Sequence, residues 1–546
     1  MATHEVRNQP PPYAGVDLFA SDPTLRDALT RWGAPDPDAR HLGALAGTAA
    51  AAAWADEADQ FPPRLRTHDP RGNRLDEVVY HPSYHALMTV AVEHGLTAGP
   101  WLPGARPGAH LARAAGFYLW SQVENGHLCP ISMSYAAGPV LAATPGAATE
   151  WLPKVASRSY EPALVPIEQK RGAIVGMGMT EKQGGSDVRA NSTTATPDPR
   201  GPLGAGSYRL RGHKWFCSAP MSDAFLVLAQ APAGLSCFLL PRALPDGMRN
   251  SFALQRLKDK LGNRSNASSE VEFDDSWATL LGVEGRGIRT IIDMVAGTRL
   301  DCILGSSATM RQALVRATHH TAHRMTFGRP LIDQPLMRNV LADLALESEA
   351  ATLLAMRLAH AVDEGDSDFA RLGVALGKFW VCKRTSPMVA EALECLGGLG
   401  YVEENGLARL YREAPLNSIW EGSGNVNALD VLRAMTREPA SVAALAKEAG
   451  AARGVDARLD RAIDAIEEIG ARAGHEHAPI EARRTVERLA ITLQAALLVR
   501  YAEPAIAEAF VASRVAGDHG ATFGTLSPAA VTAVAGPLLE RASSSG

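Results

Sequence analysis

AIVGMGMTEKQGGSD (Ala173–Asp187) is the stretch at which this chain changes character. Its first half is a short run of small and apolar residues that reads as a strand. Its second half is a Gly-Gly turn with hydroxyls at Thr180 and Ser186. Such a turn presents backbone N–H groups and can cradle a phosphate or the polar edge of a ring. It is not GxGxxG, and no acidic residue stands at the spacing of a dinucleotide fingerprint, so by itself an ordinary strand-loop is the plainer reading. Downstream, SYRLRGHKWF, AFLVLAQA, SCFLL and SSEVEF continue as β-rich runs, separated by turn clusters such as PDPRGPLGAG (Pro197–Gly206) and LPDG (Leu244–Gly247). Short strands with turn signals roughly every ten residues predict a small barrel or sandwich.

Helical patterns flank this region. Before it, a Pro-rich entry (Pro10–Pro12) leads to helices predicted near Pro82–Gly95 and Leu111–Gln122. After Gly287, Leu336, Val340 and Leu344 recur at helical spacing, with Leu354 and Leu358 in continuation, as a bundle helix requires. A second helix is predicted from Leu372 to about Leu396, with Gly397-Gly398 as its C-cap. Val486, Leu489, Leu493 and Leu497 line a later helix, and the tail RASSSG (Arg541–Gly546) is expected to fray. The fold class is mainly α with a central β-domain. The divisions expected are 1–175 (helical), 176–285 (β), 286–440 (a four-helix bundle) and 441–546 (a further helical unit).

The chain's 546 residues exceed what one core can hold. A hydrophobic content of 46% with 21% charged residues is that of a globular protein. A formal net charge of -5 argues against whole-molecule attraction to nucleic acid or anionic lipid, leaving only a local basic groove for such partners. Six cysteines, scattered without a CxxC pair, read as reduced thiols of a cytoplasmic protein. The N-terminus lacks a signal-peptide pattern, and no apolar run approaches the ~20 residues that cross a bilayer, so no membrane partner is expected.

Two further segments carry chemistry. SIWEGSGNV (Ser418–Val426) sets one carboxylate, Glu421, between an indole and a Gly-Ser-Gly turn. In an apolar cleft its pKa would rise, and it could act as a base near neutral pH. Alone, it reads more plainly as a helix-entry turn with an N-terminal carboxylate. HKWFCSAP (His213–Pro220) puts Trp215 at a strand end, where its face could cover a heteroaromatic ring or simply fill a core.

Taken in order, these segments resemble the acyl-CoA dehydrogenase family of flavoproteins. The family's Thr-Glu…Gly-Ser-Asp loop matches Thr180, Glu181, Gly185, Ser186 and Asp187, and its Lys-Trp strand matches Lys214, Trp215 and Ser218. The LGxR turn into an E-F-D strand matches Leu261, Gly262, Arg264, Glu272, Phe273 and Asp274. Arg-x-x-Phe-Gly matches Arg324, Phe327 and Gly328, and GGxGY matches Gly397, Gly398, Gly400 and Tyr401. The resemblance implies an N-terminal helical domain, a β-barrel or sandwich and a four-helix bundle, with FAD between domains and usually across a subunit interface. NQPPPYAGVDLFASD, HPSYH (His81–His85), RLKDKLGNRSNASSEVEF and LYREAPLNSIWEGSGNV are similar to a branch of the family from the DNA alkylation response. That branch has an extra C-terminal helical domain, here about 441–546. It implies a homotetramer, double-stranded DNA as partner, a role against alkylating agents and weak dehydrogenase activity on isovaleryl-CoA.

On this resemblance Glu421 is the base that takes the α-proton of a small acyl-CoA while hydride passes to the flavin. Met177, Met179, Thr180, Ser186, Trp215, Phe216, Cys217 and Ser218 would hold the isoalloxazine. Arg324 and Phe327 of a neighbouring subunit would reach its dinucleotide portion, and Trp420, Gly422, Ser423 and Asn425 would line the pocket beside the base. Several positions depart from the family pattern. The acidic residue three places before Arg299, which helps anchor the CoA chain, is Ala296. Glu394 replaces a glutamine before the Gly-Gly turn, Pro335 falls where the glutamine after Arg-x-x-Phe-Gly belongs (Gln334 is adjacent), and Trp420 replaces a common tyrosine.

The DNA reading rests on the resemblance. Residues 441–546 hold 11 Lys/Arg against 13 Asp/Glu, so any phosphate-binding groove must be local. Arg483, Arg484 and Arg488 are the densest basic group, with Arg433 and Arg437 just upstream; a solvated helix face paired to Glu481 and Glu487 is the alternative. His319, His320 and His323 share helical spacing, but with no carboxylate or thiol beside them a surface helix, not a metal site, is expected. Two competing readings stand: an ordinary short- or branched-chain acyl-CoA dehydrogenase with no DNA role, and a flavin-stabilised tetramer without turnover.

Overall fold

A computed structural model of the chain describes residues 3–204 and 206–543; Ala205 of the predicted turn cluster and the last three residues of the tail lie outside them. The fold is helical with a central β-domain, and the chain forms two compact units. One comprises the residues up to Ala52, Pro107–Val123 and everything from Arg299; the other comprises Ala53–Arg106 and Glu124–Thr298. Among the described residues no helix is long and apolar enough to cross a membrane.

The β-rich unit is built on seven strands: β3 (Val175–Gly178), β4 (Thr194–Pro197), β5 (Ser207–Ser218), β6 (Ala224–Ala231), β7 (Gly234–Pro241), β8 (Ala253–Leu257) and β9 (Ser268–Leu281). Neighbours run β3-β6-β4-β5-β9-β7, β8 pairs with β9, and β7 also pairs with β6. The last pairing closes the sheet into a small barrel, which removes most free edges. Inward residues alternate, as period-two geometry dictates: Phe225, Val227 and Ala229 on β6 meet Phe238 and Leu240 on β7 and Leu210 on β5 in one core. Ahead of the barrel lies a hairpin, β1 (Arg64–His68) and β2 (Arg74–Val79), whose Val78 joins that core. The sequence reading placed only helices in 1–175. The hairpin was hidden because its strands are charged; its signal is the DPRGN turn, where the Asp69 carboxylate accepts the N–H groups of Arg71 (2.7 Å) and Asn73 (2.9 Å).

In the helical unit the expected bundle helices run Pro335–Asp363 and Ser367–Glu394. The second stops short of Gly397-Gly398 with Cys395 as its cap in right-handed conformation. Gly397, at φ +59, instead opens a tight turn over Gly397–Tyr401. Met325–Thr326 (β10) and Arg329–Pro330 (β11) form a minimal hairpin whose turn is Phe327-Gly328.

Residues beyond 440 are bolted to this bundle by ion pairs. Arg514 engages both Asp343 and Glu347, Arg541 holds Glu349 at 2.6 Å, and Arg357 and Arg500 share Glu448 at 2.9 and 2.7 Å. Trp380 adds a hydrogen bond to Gln494 at 2.9 Å. Burial raises the cost of the Glu347 charge, but Arg384 and Arg514 more than offset it and hold its carboxyl down at about 2. A folded pKa below the unfolded value of about 4.3 gives stability that is complete above that pH and fades as pH falls toward 2. Glu347→Gln should therefore lower the thermal midpoint at neutral pH, on the scale of the ~3–5 kcal/mol lost when a buried pair is broken. The gap to the parent protein should narrow on acidification, as differential scanning fluorimetry across pH would register.

Candidate functional site

Two groups of predicted site residues fall in two units, each built on its own elements. In the β-rich unit, β3 ends at Gly178 and the chain turns through Met179 and Thr180, whose carbonyl accepts the Trp215 N–H of β5 at 2.9 Å. That bond sets Met177, Met179, Thr180, Trp215 and Ser218, all half-buried, along adjoining strand ends. Behind them Glu181 and Lys214 form a fully buried ion pair at 2.9 Å. Lys214 also donates to the Leu228 carbonyl at 2.8 Å. Glu181 accepts from the N–H groups of Ser192 (2.7 Å) and Thr193 (3.1 Å). Burial opposes the Glu181 charge, yet the Lys214 ammonium and these donors hold its carboxyl far below the usual range.

The flat face of Trp215 carries the Lys258 ammonium 3.4 Å from its centroid. Phe216 projects outward at 52% exposure, whereas Cys217 points into the barrel core at 1% and its carbonyl is taken by Ser269 at 2.7 Å. The Cys217 thiol therefore faces no ligand surface, because strand alternation turns it inward. Ser186 is exposed in the Gly-Gly loop.

In the helical unit Glu421 sits half-buried at φ +57, just before the Gly424–Arg437 helix, for which Ser423 is the N-cap residue. The backbone around it is clamped. Lys378, 1% exposed, donates to the carbonyls of Trp420 (2.7 Å) and Gly422 (2.6 Å), and Arg299 donates from Nε to the carbonyl of Glu421 (3.0 Å). Asn427 reaches back to the Gly422 carbonyl at 2.5 Å, and the Trp420 indole bonds Asn417 at 2.8 Å. At Gly424 a Cβ would lie 2.8 Å from Cε of Lys383, so the lysine side chain packs directly over the first turn of the helix. Asn425 and Ser423 are exposed beside it.

Lys378, Arg299 and Asp430 in these roles were missed by pattern. Arg299 lacks an acidic residue three places back, but Asp430 from the following helix supplies a carboxylate 2.7 Å away. For Lys378 a signal existed: a lone lysine in the apolar run LGVALGKFWVC, which a buried helix keeps only for a bound partner.

A third site lies where Arg324 meets the Gly397–Leu399 turn, around a cavity of about 430 Å³ lined also by His320 and Leu331. His320 is buried on its helix, unlike the exposed His323, so the three histidines do not share one surface. Nearby, Phe327 is 98% exposed at φ +52. For a bulky side chain this is an outlier conformation. Gln334 braces its hairpin, donating to the Thr326 carbonyl at 3.0 Å and accepting from Arg329 at 3.1 Å. Glu394 is exposed at the edge of this turn.

Three family models match the chain: "Adaptive response protein AidB N-terminal domain" over 8–162, "Acyl-CoA dehydrogenase, middle domain" over 176–276 and "Acyl-CoA dehydrogenase, C-terminal domain" over 285–436. The Escherichia coli protein named putative acyl-CoA dehydrogenase AidB is 47% identical over 515 residues, 93% of this chain and 94% of its own. The chain belongs to the acyl-CoA dehydrogenase family. Acyl-CoA dehydrogenase family member 11 of Caenorhabditis elegans is 30% identical over 75% of this chain and 69% of its own length. The solved C. elegans ACDH-11 in complex with C11-CoA shares the fold at a TM-score of 0.82, with 24% identity over 98% of this chain and 93% of that one. Membership makes the protein an FAD-dependent, acyl-CoA dehydrogenase-like oxidoreductase.

The residues present fit such a cofactor. The Gly397-Gly398 backbone has no atom within 4 Å of where side chains would start, beside a guanidinium that can meet a diphosphate. Lys378→Met should test the clamp. It strands the half-buried Trp420 carbonyl, a loss of about 1–3 kcal/mol, and takes one of two donors from the Gly422 carbonyl, which Asn427 still reaches. Its thermal midpoint should fall well below that of Lys383→Met, whose half-exposed ammonium makes no such bonds among the described residues. Equal midpoints would refute the clamp.

Proposed function

We propose that this chain is an FAD-dependent acyl-CoA dehydrogenase-like protein of the adaptive response to DNA alkylation. It binds double-stranded DNA, protects it or destroys alkylating agents, and retains weak isovaleryl-CoA-type dehydrogenase activity. The observation that carries the enzymatic part is the carboxylate of Glu421, set at a fixed backbone conformation by Lys378 and Arg299. A base that removes an α-proton must be held in place rather than found by a mobile loop, and near-complete positioning is worth several kcal/mol of barrier. FAD, when bound, supplies the hydride acceptor. Met177, Thr180, Trp215 and Ser218 hold the ring system, and Trp420, Gly422 and Asn425 border the base. Arg324 takes the dinucleotide portion. Phe327, projecting into solvent from a strained turn, docks on a neighbouring subunit of a homotetramer, where its burial repays the strain. Glu421→Gln should leave FAD bound and abolish bleaching of the flavin absorption by isovaleryl-CoA under anaerobic conditions; bleaching at the parent rate would remove Glu421 from the role of base.

The relationship to the E. coli AidB protein across nearly the whole chain, and to an AidB N-terminal domain, supports the alkylation-response part. For DNA, the support within the chain is a set of cations without carboxylate partners, though Arg483 also lies over the Phe379 ring at 5.8 Å. Arg483, Arg484 and Arg488 are exposed on the Ala478–Tyr501 helix, and among the described residues none has a carboxylate within 4 Å, Glu481 and Glu487 included. The neighbouring Gly424–Arg437 helix, packed on it, adds Arg437 and Arg433, the latter 3.5 Å from Asp430. Elsewhere in 441–546 carboxylates are consumed locally, as in Arg453–Asp464 at 2.6 Å and Arg458–Glu508 at 2.6 Å. Sequence readout is not part of the reading, since phosphate contact alone suits a protein that guards any duplex.

A gel-shift titration over salt should show affinity falling steeply as salt rises. The doubly reversed Arg483→Glu, Arg484→Glu protein should bind more weakly on every sequence, with a shallower salt slope. No shift at low salt would leave an ordinary short- or branched-chain dehydrogenase as the reading.

A further inference from the structure

The β-rich unit contains a cavity of about 290 Å³ that none of the flavin or base residues lines. It is walled by the end of β2, the Pro82–Glu93 helix, the loop through Tyr160 and the turn Ala219–Asp223 that precedes β6. Aromatic rings dominate it. Tyr80 and Tyr84 stack at 4.2 Å between centroids and 17° between planes. The His85 ring stands edge-on to both, at 6.0 and 5.8 Å, and tilts toward Tyr160 at 5.9 Å. Met88 and Met221, both on the wall, add polarizable sulfur, which packs well against ring edges. A polar edge lies within this surface, where His85 Nδ1 and the Tyr160 hydroxyl share a hydrogen bond of 2.9 Å.

No unspent charge faces the interior. The Asp223 carboxylate is taken by Lys170 at 2.9 Å and by the Ile174 N–H at 2.8 Å. The Lys170 ammonium spends its remaining donors on the carbonyls of Ala163, at 2.8 Å, and Glu161. Glu161, at the rim, accepts the Arg171 N–H at 2.9 Å. Burial lowers the His85 pKa and raises those of Tyr80, Tyr84 and Tyr160, so all four rings are neutral at physiological pH. A CoA ester or nucleotide would find no cation for its phosphates, and an organic cation no free carboxylate inside.

We propose that this cavity is a second small-molecule site, for an uncharged one- or two-ring aromatic compound with a hydrogen-bonding group at one edge. The ring would pack against Tyr80, Tyr84 and the two methionines, and its polar edge would meet His85 and Tyr160. The size agrees: an apolar cavity of about 150 Å³ already accepts benzene, so 290 Å³ holds phenol or indole.

The test uses the full-length, FAD-loaded protein titrated with phenol and indole by calorimetry and saturation-transfer NMR, with benzoate and tetramethylammonium as charged comparisons. Saturable one-to-one binding of a neutral probe is expected. Met221→Trp, which fills the cavity, should abolish it. Tyr160→Phe, which only deletes a hydroxyl and should fold as the parent does, should weaken phenol binding about three- to tenfold, the worth of one hydrogen bond. The proposal is overturned if neither neutral probe saturates, if Tyr160→Phe binds phenol as tightly as the parent, or if the charged probes bind equally well.

Discussion

Every carbonyl from Trp420 to Gly422 is held by a cation, the buried Lys378 or the half-buried Arg299, and the geometry around Glu421 depends on that constraint. A non-glycine residue in the left-handed region gives up about 1–2 kcal/mol, so Glu421 at φ +57 persists only where its neighbours overdetermine it. Lys378 does this from one side and Arg299 from another. Neither charge is left bare. Arg299 is balanced by Asp430, which Arg371 also grips at 3.0 Å, while Lys378 spends its donors on the peptide dipoles themselves. The clamp therefore fixes both the loop that carries Glu421 and the first turn of the helix that follows it.

The β-rich unit solves the same problem with a different pair. The strand ends that present Met177, Thr180 and Trp215 are backed by Glu181 and Lys214, a charge pair further held by the Leu228 carbonyl and the Ser192 and Thr193 N–H groups. Such a pair adds little net stability over apolar packing, but it is severe on any register other than the native one. A one-residue slip of β5 would bury the Lys214 charge without Glu181 and turn Trp215 into the core. Buried ions in both units thus secure position rather than strength.

Much of this was legible in the chain. The β-rich runs became β3, β5, β6, β7 and β9, and the helices at Pro82, Leu111 and Pro335 began within a few residues of their expected starts, because apolar periodicity survives in any well-packed element. What escaped has physical causes. The β1–β2 hairpin is masked by arginines that point to solvent. The Gly397-Gly398 pair looked like a helix stop but serves a tight turn, since a C-cap and a turn both ask for left-handed glycine. Cys217 was grouped with its neighbours although strand alternation buries it. The partner of Arg299 was sought three residues back along a helix, and Asp430 lies 131 residues ahead. Contacts made through the fold leave no spacing in the sequence.

The extra C-terminal segment follows from the same economy of paired charge. Its arginines that face the bundle, at 514, 541 and 500, are each matched to a carboxylate on a bundle helix or on the Pro439–Gly450 helix. Those that face outward at 483, 484 and 488 are not. The carboxylates that fasten the segment lie mostly on the bundle helix before it, at 343, 347 and 349, with Glu448 the segment's own contribution. The unmatched cations sit on a helix packed directly against the one that begins after Glu421. A ligand that pulled on this basic face would load the helix whose first turn the clamp holds, so the rigidity that fixes Glu421 also limits how far such a load could shift it.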